Sequence, residues 1–402
     1  MISEKMERLG RHRSVIREIF EYGNRRRAEI GAENVFDFSL GNPSVPAPRE
    51  VNEVLLRLLT EEDSCSLHGY TSAAGDAGVR QAIADYITKT HNSPADASLI
   101  YLTVGAAAAL AVSLRALLSD GGGDEVVVFV PYFPEYRVFI EAAGGRAVEV
   151  PVREGDFMID PDRLAASLTE KTRAVIVNSP NNPTGTVLSE ENIKELCAVL
   201  REAEEKFGHP IYLIADEPYR ELVYGGVTVP YLPNCYPDTL VCYSFSKSLS
   251  IPGERIGYIA VSPEARDAEA VYAAVMGAGR ALGYVCAPAI FQKMIPHLLG
   301  KTADLAVYQK NRDRLLTALS DYGYECVRPD GAFYLFVRAL EEDAISFCER
   351  AKRHELLLVP SDGFGCTGYV RIAYCVTPEQ IERALPAFRA LAEEYNTEKN
   401  HG

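Results

Sequence analysis

No apolar run in the 402-residue sequence approaches the roughly 20 residues that a membrane-spanning helix needs. The opening residues, MISEKMERLG, lack the apolar segment of a secretory signal. A cytoplasmic protein is therefore expected. The nine cysteines are an odd number, scattered, with no Cys-x-x-Cys, which argues against a disulfide framework or a zinc site. His-Glu-x-x-His is missing, and the seven histidines show no paired spacing, so no metal is expected. Positive charge is also short: 41 Lys and Arg stand against 56 Asp and Glu, a net charge of −15. Nucleic acid and anionic membrane surfaces are thus not expected partners. The one dense basic cluster, Arg25-Arg26-Arg27, reads as a solvated helix face. There is no internal repeat and no low-complexity tract.

What is present is ordinary globular material, 47% hydrophobic and 24% charged, in a length that suggests about two domains. From about residue 75 to 260, helical segments (79–90, 106–118, 190–206) alternate with short β-rich runs (125–130, 174–178, 211–215, 239–243, 256–261). Such alternation predicts an α/β fold with a mostly parallel central sheet flanked by helices. After about 290 the chain turns to long charged helices and shorter strands, which predicts a smaller α+β domain. The expected division is a large domain over 46–288 and a small one from 1–45 with 289–402. The Pro- and Gly-containing stretch "FDFSLGNPSVPAP" reads as an extended link.

The candidate chemistry lies just after the predicted strands or at helix starts, where such sheets hold ligands. In "SFSKSLSIPGERIG", Lys247 ends an apolar strand behind Ser244 and Ser246, with Arg255 eight residues on. A partly buried lysine has a usable free amine, as Schiff-base catalysis requires, and pyridoxal phosphate is the cofactor that asks for one. Its phosphate needs cations, hydroxyls and a helix N-terminus: Arg255 and Ser244 supply the first two, Gly105-Ala106-Ala107 the third. Asp216, in "IADEPY", is a candidate partner for the pyridine nitrogen or else a helix N-cap. Tyr219 and Asn182 of "NSPNNPTG" are candidate donors to the phenolic oxygen. Phe133 of "PYFPEY" is a candidate stacking ring. Arg371 in "YVRIAY" shares a strand face with Tyr369 and Ala373; so embedded, it needs an anion, either a ligand carboxylate or a structural salt bridge.

These motifs, with "HGYTSAAGDAGVRQAI" around Tyr70 and "PDGAFYLF", resemble the class I/II aminotransferases of the fold-type I pyridoxal phosphate enzymes, aspartate aminotransferase among them. The resemblance implies Lys247 as the Schiff-base lysine and general base, Asp216 at the ring nitrogen, and Asn182 and Tyr219 at the phenolic oxygen. It implies Ser244, Ser246, Arg255 and residues 105–107 around the phosphate. Arg371 would bind the α-carboxylate, with Gly41 lining its pocket. Tyr70 would reach the neighbouring subunit's phosphate in a homodimer with shared active sites. The implied reaction moves an amino group between an α-amino acid and a 2-oxo acid. Aspartate or glutamate is the expected donor if Arg280 reads a distal carboxylate; otherwise Arg280 makes a surface or interface ion pair. A carbon–sulfur β-lyase of the same fold would use the same residues. A non-catalytic cofactor-binding regulator is not expected, since only about 40 residues precede the family core.

Overall fold

The structure, a computed structural model, describes residues 2–11 and 15–401, the side chains of 399–401 excepted. Its centre is a seven-stranded sheet. In chain order the strands are β1 (Ile100–Thr103), β2 (Glu125–Val130), β3 (Arg146–Pro151), β4 (Thr172–Asn178), β5 (Tyr212–Asp216), β6 (Thr239–Ser244) and β7 (Gly257–Val261). Their spatial order is β1-β7-β6-β5-β4-β2-β3, and β7 alone runs against the rest. The long apolar runs of β2, β4, β5 and β6 follow from burial on both faces. Alternate residues feed different cores: Val127, Val175, Leu213 and Val241 pack on one side, Val126, Ala174, Ile214 and Leu240 on the other.

A second, antiparallel sheet is built from β8 (Cys326–Val327), β9 (Tyr334–Arg338), β10 (Val359–Pro360) and β11 (Tyr369–Ala373), in the order β10-β11-β9-β8. Its core joins Phe336's neighbours on β9 and β11 to the helices Leu305–Asp321 and Pro378–His401. The chain's first strand, Phe36–Asp37, pairs in parallel with Leu356–Leu357.

The sequence reading missed β1 and β3. The first is only four residues long, and the second is an edge strand whose polar residues dilute its apolar pattern. In the second half of the chain, the apolar stretch from 356 to 360 forms two separate two-residue strands. The basic cluster is not simply a solvated helix face. Arg25 is exposed, but Arg26 grips Glu355 at 2.6 Å and Arg27 grips Asp37 at 2.6 Å. Both sit on the helix Val15–Ile30 and tie it to the two-strand ladder, which a reading of local sequence cannot see.

Candidate functional site

The register of the large sheet brings three strand ends together. Asn178 at the end of β4 pairs with Asp216 at the end of β5, Asp216 with Cys242 on β6, and Ser244 closes β6 opposite Gly257. A cavity of about 280 Å³ opens there, and its lining includes Gly41, Ala106, Ala107, Phe133, Asn182, Asp216, Tyr219, Ser244, Ser246, Lys247, Arg255 and Arg371. Residues from β9, β11 and the Gly41 segment thus face residues from the large sheet across one space.

Lys247 lies in a single turn, Phe245–Ser248, capped by the Ser244 side chain. Its Nζ donates to the Gly41 carbonyl oxygen at 2.9 Å. Burial pushes its ammonium down to about 8, with Arg255 and Arg371 adding to the shift. The neutral amine is therefore far more accessible near neutral pH than that of a free lysine.

Asp216 is 5% exposed. Burial pushes its carboxyl up to about 7, against a hydrogen bond from Tyr136 that pulls it down. The Tyr136 hydroxyl donates to Oδ2, whereas Oδ1 is buried without a partner. No helix follows β5, so the N-cap alternative falls away; the chain continues as turns through Tyr219. A buried carboxylate oxygen with nothing to accept from asks for a proton-bearing ligand atom.

At the other end of the cavity, Gly105 caps the helix Ala106–Leu117 with φ +90°. A Cβ there would stand 2.6 Å from Arg255 Nη2, so only glycine lets the guanidinium reach the helix start. Arg255 Nη1 donates to Ser246 Oγ at 3.4 Å, and Ser246 Oγ lies 2.7 Å from Ser244 Oγ. Backbone N–H groups of a helix start, an arginine and two hydroxyls make a cradle for an anion.

Arg371 is 2% exposed, and its guanidinium lies 4.6 Å and 5.1 Å from the Tyr334 and Phe364 ring centres. It donates from Nη1 to Asn182 Oδ1 at 3.0 Å and from Nη2 to the Ser39 carbonyl at 2.6 Å; Nε has no partner. Both partners are neutral oxygens, so the structural salt bridge is not what holds this arginine. Accepting at Oδ1 leaves the Asn182 amide nitrogen as the free donor. The Tyr219 hydroxyl lies 2.9 Å from that of Tyr334. Phe133 meets the cavity edge-on to Tyr136, 5.7 Å between centroids.

Two expected residues lie elsewhere. Tyr70 is 90% exposed and outside the cavity lining of its own chain. Arg280 is exposed on the helix Ala268–Ala281 and also outside that lining; within one chain it does not meet a ligand in the cavity. Three residues were passed over: Tyr136, Tyr334 and Asn178, whose Oδ1 accepts from the Asn182 N–H at 2.8 Å and whose Nδ2 donates to the Asp216 carbonyl at 2.9 Å. A polar residue closing an apolar strand, as Asn178 does, was the available signal.

Tyr136→Phe should raise the Asp216 carboxyl above its present value of about 7, leaving it neutral over more of the working range. Affinity for a ligand with a protonated ring nitrogen should fall about 10- to 100-fold at pH 7, and less at pH 9. Equilibrium dialysis at the two pH values checks this; equal losses would contradict it.

Residues 33–388 match the family described as aminotransferase class I and II. The chain is 31% identical to a probable aspartate/prephenate aminotransferase of Thermus aquaticus, over 91% of this chain and 94% of that one. It is 28% identical to aromatic-amino-acid aminotransferase 2 of Thermococcus litoralis, over 98% of each. Among solved structures, an amino transferase from Eubacterium rectale superposes with a TM-score of 0.96 at 54% identity, covering 98% of this chain and 99% of that one. The aspartate aminotransferase of Thermus thermophilus with maleate gives 0.86 at 27% identity, over 97% and 100%. With that match spanning most of its length and both sheets in place, this chain belongs to the class I and II aminotransferases.

Proposed function

We propose that the cavity holds pyridoxal 5′-phosphate beside the α-carboxylate of an amino donor, and that the chain works as a homodimer moving amino groups between α-amino acids and 2-oxo acids. The observation that carries this is the unpartnered buried Oδ1 of Asp216 in one cavity with a lysine whose ammonium is pushed down to about 8. The anion cradle at Gly105 fits the phosphate. When bound, the cofactor supplies a carbonyl carbon that takes up amines and a ring that accepts electrons.

The chain's residues divide the work. Arg255, Ser244, Ser246 and the amides of Ala106 and Ala107 bind the phosphate. Asp216 Oδ1 would accept a hydrogen bond from the ring N–H and so keep the proton on the nitrogen. Phe133 covers the ring, and Asn182 and Tyr219 donate to its phenolic oxygen. Neutral Lys247 Nζ takes the substrate α-proton and carries it as ammonium to the next acceptor. Arg371 grips the α-carboxylate and so orients the Cα–H bond, with Gly41 leaving room beside it. Tyr70, exposed on its own chain, would complete the partner subunit's phosphate site. Similar proteins are named for aspartate, prephenate and aromatic amino acids, and donors of the acidic and aromatic kinds are proposed here. All nine cysteines are free, which fits a reducing compartment, and we place the protein in the cytoplasm.

A panel of amino donors with 2-oxoglutarate tests the proposal. A good donor alone should bleach the cofactor's visible band, and 2-oxoglutarate should restore it. Pyruvate and ammonia released from cystathionine without any oxo acid would instead point to the lyase. Arg371→Lys keeps the charge but loses the planar fork, so KM for every α-amino acid should rise about 30- to 100-fold with a smaller loss in kcat. Steady-state kinetics read this directly; an unchanged KM would remove Arg371 from carboxylate binding.

A further inference from the structure

Tyr334 begins β9 and is 3% exposed. It touches both ends of the substrate side of the cavity. Its hydroxyl lies 2.9 Å from that of Tyr219, and its ring carries the Arg371 guanidinium at 4.6 Å. The strand pairing enforces the second contact: Tyr334 sits opposite Ala373 and Phe336 opposite Arg371, so the arginine is two residues along the neighbouring strand. A Cβ on Gly41 would collide with the Tyr334 hydroxyl, so the glycine admits it.

Two hydroxyls in contact spend one proton between them and keep one free. The question is which tyrosine keeps it. Burial pushes the Tyr334 hydroxyl up to about 12, with Arg371 over its ring pulling against the shift. Tyr219, also raised first by burial, stands well above the ordinary tyrosine range. Both hydroxyls therefore keep their protons, and since Tyr219 gives its own to the cofactor's phenolic oxygen in the reading above, the contact between them takes the proton of Tyr334.

We propose that Tyr334 is a positioning residue for transamination: it donates to the Tyr219 oxygen, which leaves the Tyr219 proton for the cofactor's phenolic oxygen, and its ring face seats Arg371. This rests on the reading of the cavity given above. A donated bond strengthens the next one in the chain, so Tyr219 becomes a stronger donor than it would be alone. The same side chain thereby serves the cofactor through its hydroxyl and the α-carboxylate site through its ring.

The test uses the holoenzyme and its visible absorption against pH. Removing a donor to the phenolic oxygen disfavours its anionic form, so the pH of the spectral transition should rise. Tyr334→Phe should raise it by about 0.5–1 unit, and Tyr219→Phe by more. The double variant should match Tyr219→Phe alone, because Tyr334 acts through Tyr219. Tyr334→Phe should keep KM for the amino donor within about twofold, whereas Tyr334→Leu, which removes the ring, should raise it about three- to tenfold. Additive shifts in the double variant, or no shift in Tyr334→Phe, would overturn the hydroxyl role. An unchanged KM in a folded Tyr334→Leu would overturn the ring role. A wild-type protein that shows no cofactor band would instead overturn the reading of the cavity, and the proposal with it.

Discussion

Lys247→Ala is expected to lower transamination by at least about 10⁴-fold, since it removes both the amine that holds the cofactor and the base that moves the α-proton. Cofactor binding should survive in weakened form. The anion cradle is built from Gly105, the helix start, Arg255, Ser244 and Ser246, none of which needs the lysine. The absorption of the bound cofactor should change to that of the free aldehyde. Lys247 Nζ is tethered to the Gly41 carbonyl at 2.9 Å, and that tether is lost too, so a modest fall in thermal stability is expected. Single-turnover kinetics and dialysis separate the two effects. A variant that loses cofactor and turnover in the same proportion would show a lysine that only anchors.

Asp216→Ala is expected to cost the half-reaction about 10³-fold. A carboxylate about 3 Å from a ring N–H⁺ gains roughly 5 kcal/mol at an effective dielectric of 20, before the cost of burying both groups. Part of that gain is absent without the protonated ring, so the loss in rate should fall short of the full factor. Asp216→Glu should lose less. The same carboxyl predicts a pH effect on the cofactor-free protein. Its folded value of about 7 lies above the 3.8 of a free aspartate, so the folded state binds more protons between those values. Stability from this group is present below about pH 4 and is lost as pH rises toward 7. Denaturant titrations of the cofactor-free protein should show that slope, and Asp216→Asn should flatten it.

The central strands were legible because burial on both faces leaves uninterrupted apolar runs such as Glu125–Val130, whose bounds the sequence reading matched. Polar residues that end such a run or follow it closely are visible too, which is how Asp216 and Lys247 stood out. The direction of a strand is not written in its own residues, and the antiparallel course of β7 appeared only in the pairing. The support around the site was hidden for a related reason. Tyr136 reaches Asp216 across 80 residues, and Tyr334 reaches Tyr219 across 115. Each had been seen only as part of an aromatic-rich motif. Two ambiguities closed once neighbours were known: Asp216 has no helix to cap, and Arg371 leans on neutral oxygens. Arg280 lies exposed and off the cavity lining of its own chain, a placement that its position on a helix does not reveal.

One lysine, placed by the β6 end and pushed toward neutrality by burial, should carry the cofactor. Borohydride reduction of the holoenzyme, proteolysis and mass spectrometry test it most directly. One pyridoxyl-modified peptide is expected, with the label on Lys247, and none after prior bleaching of the visible band by a good amino donor. A label on any other lysine, or a reduced protein that carries none, would contradict it.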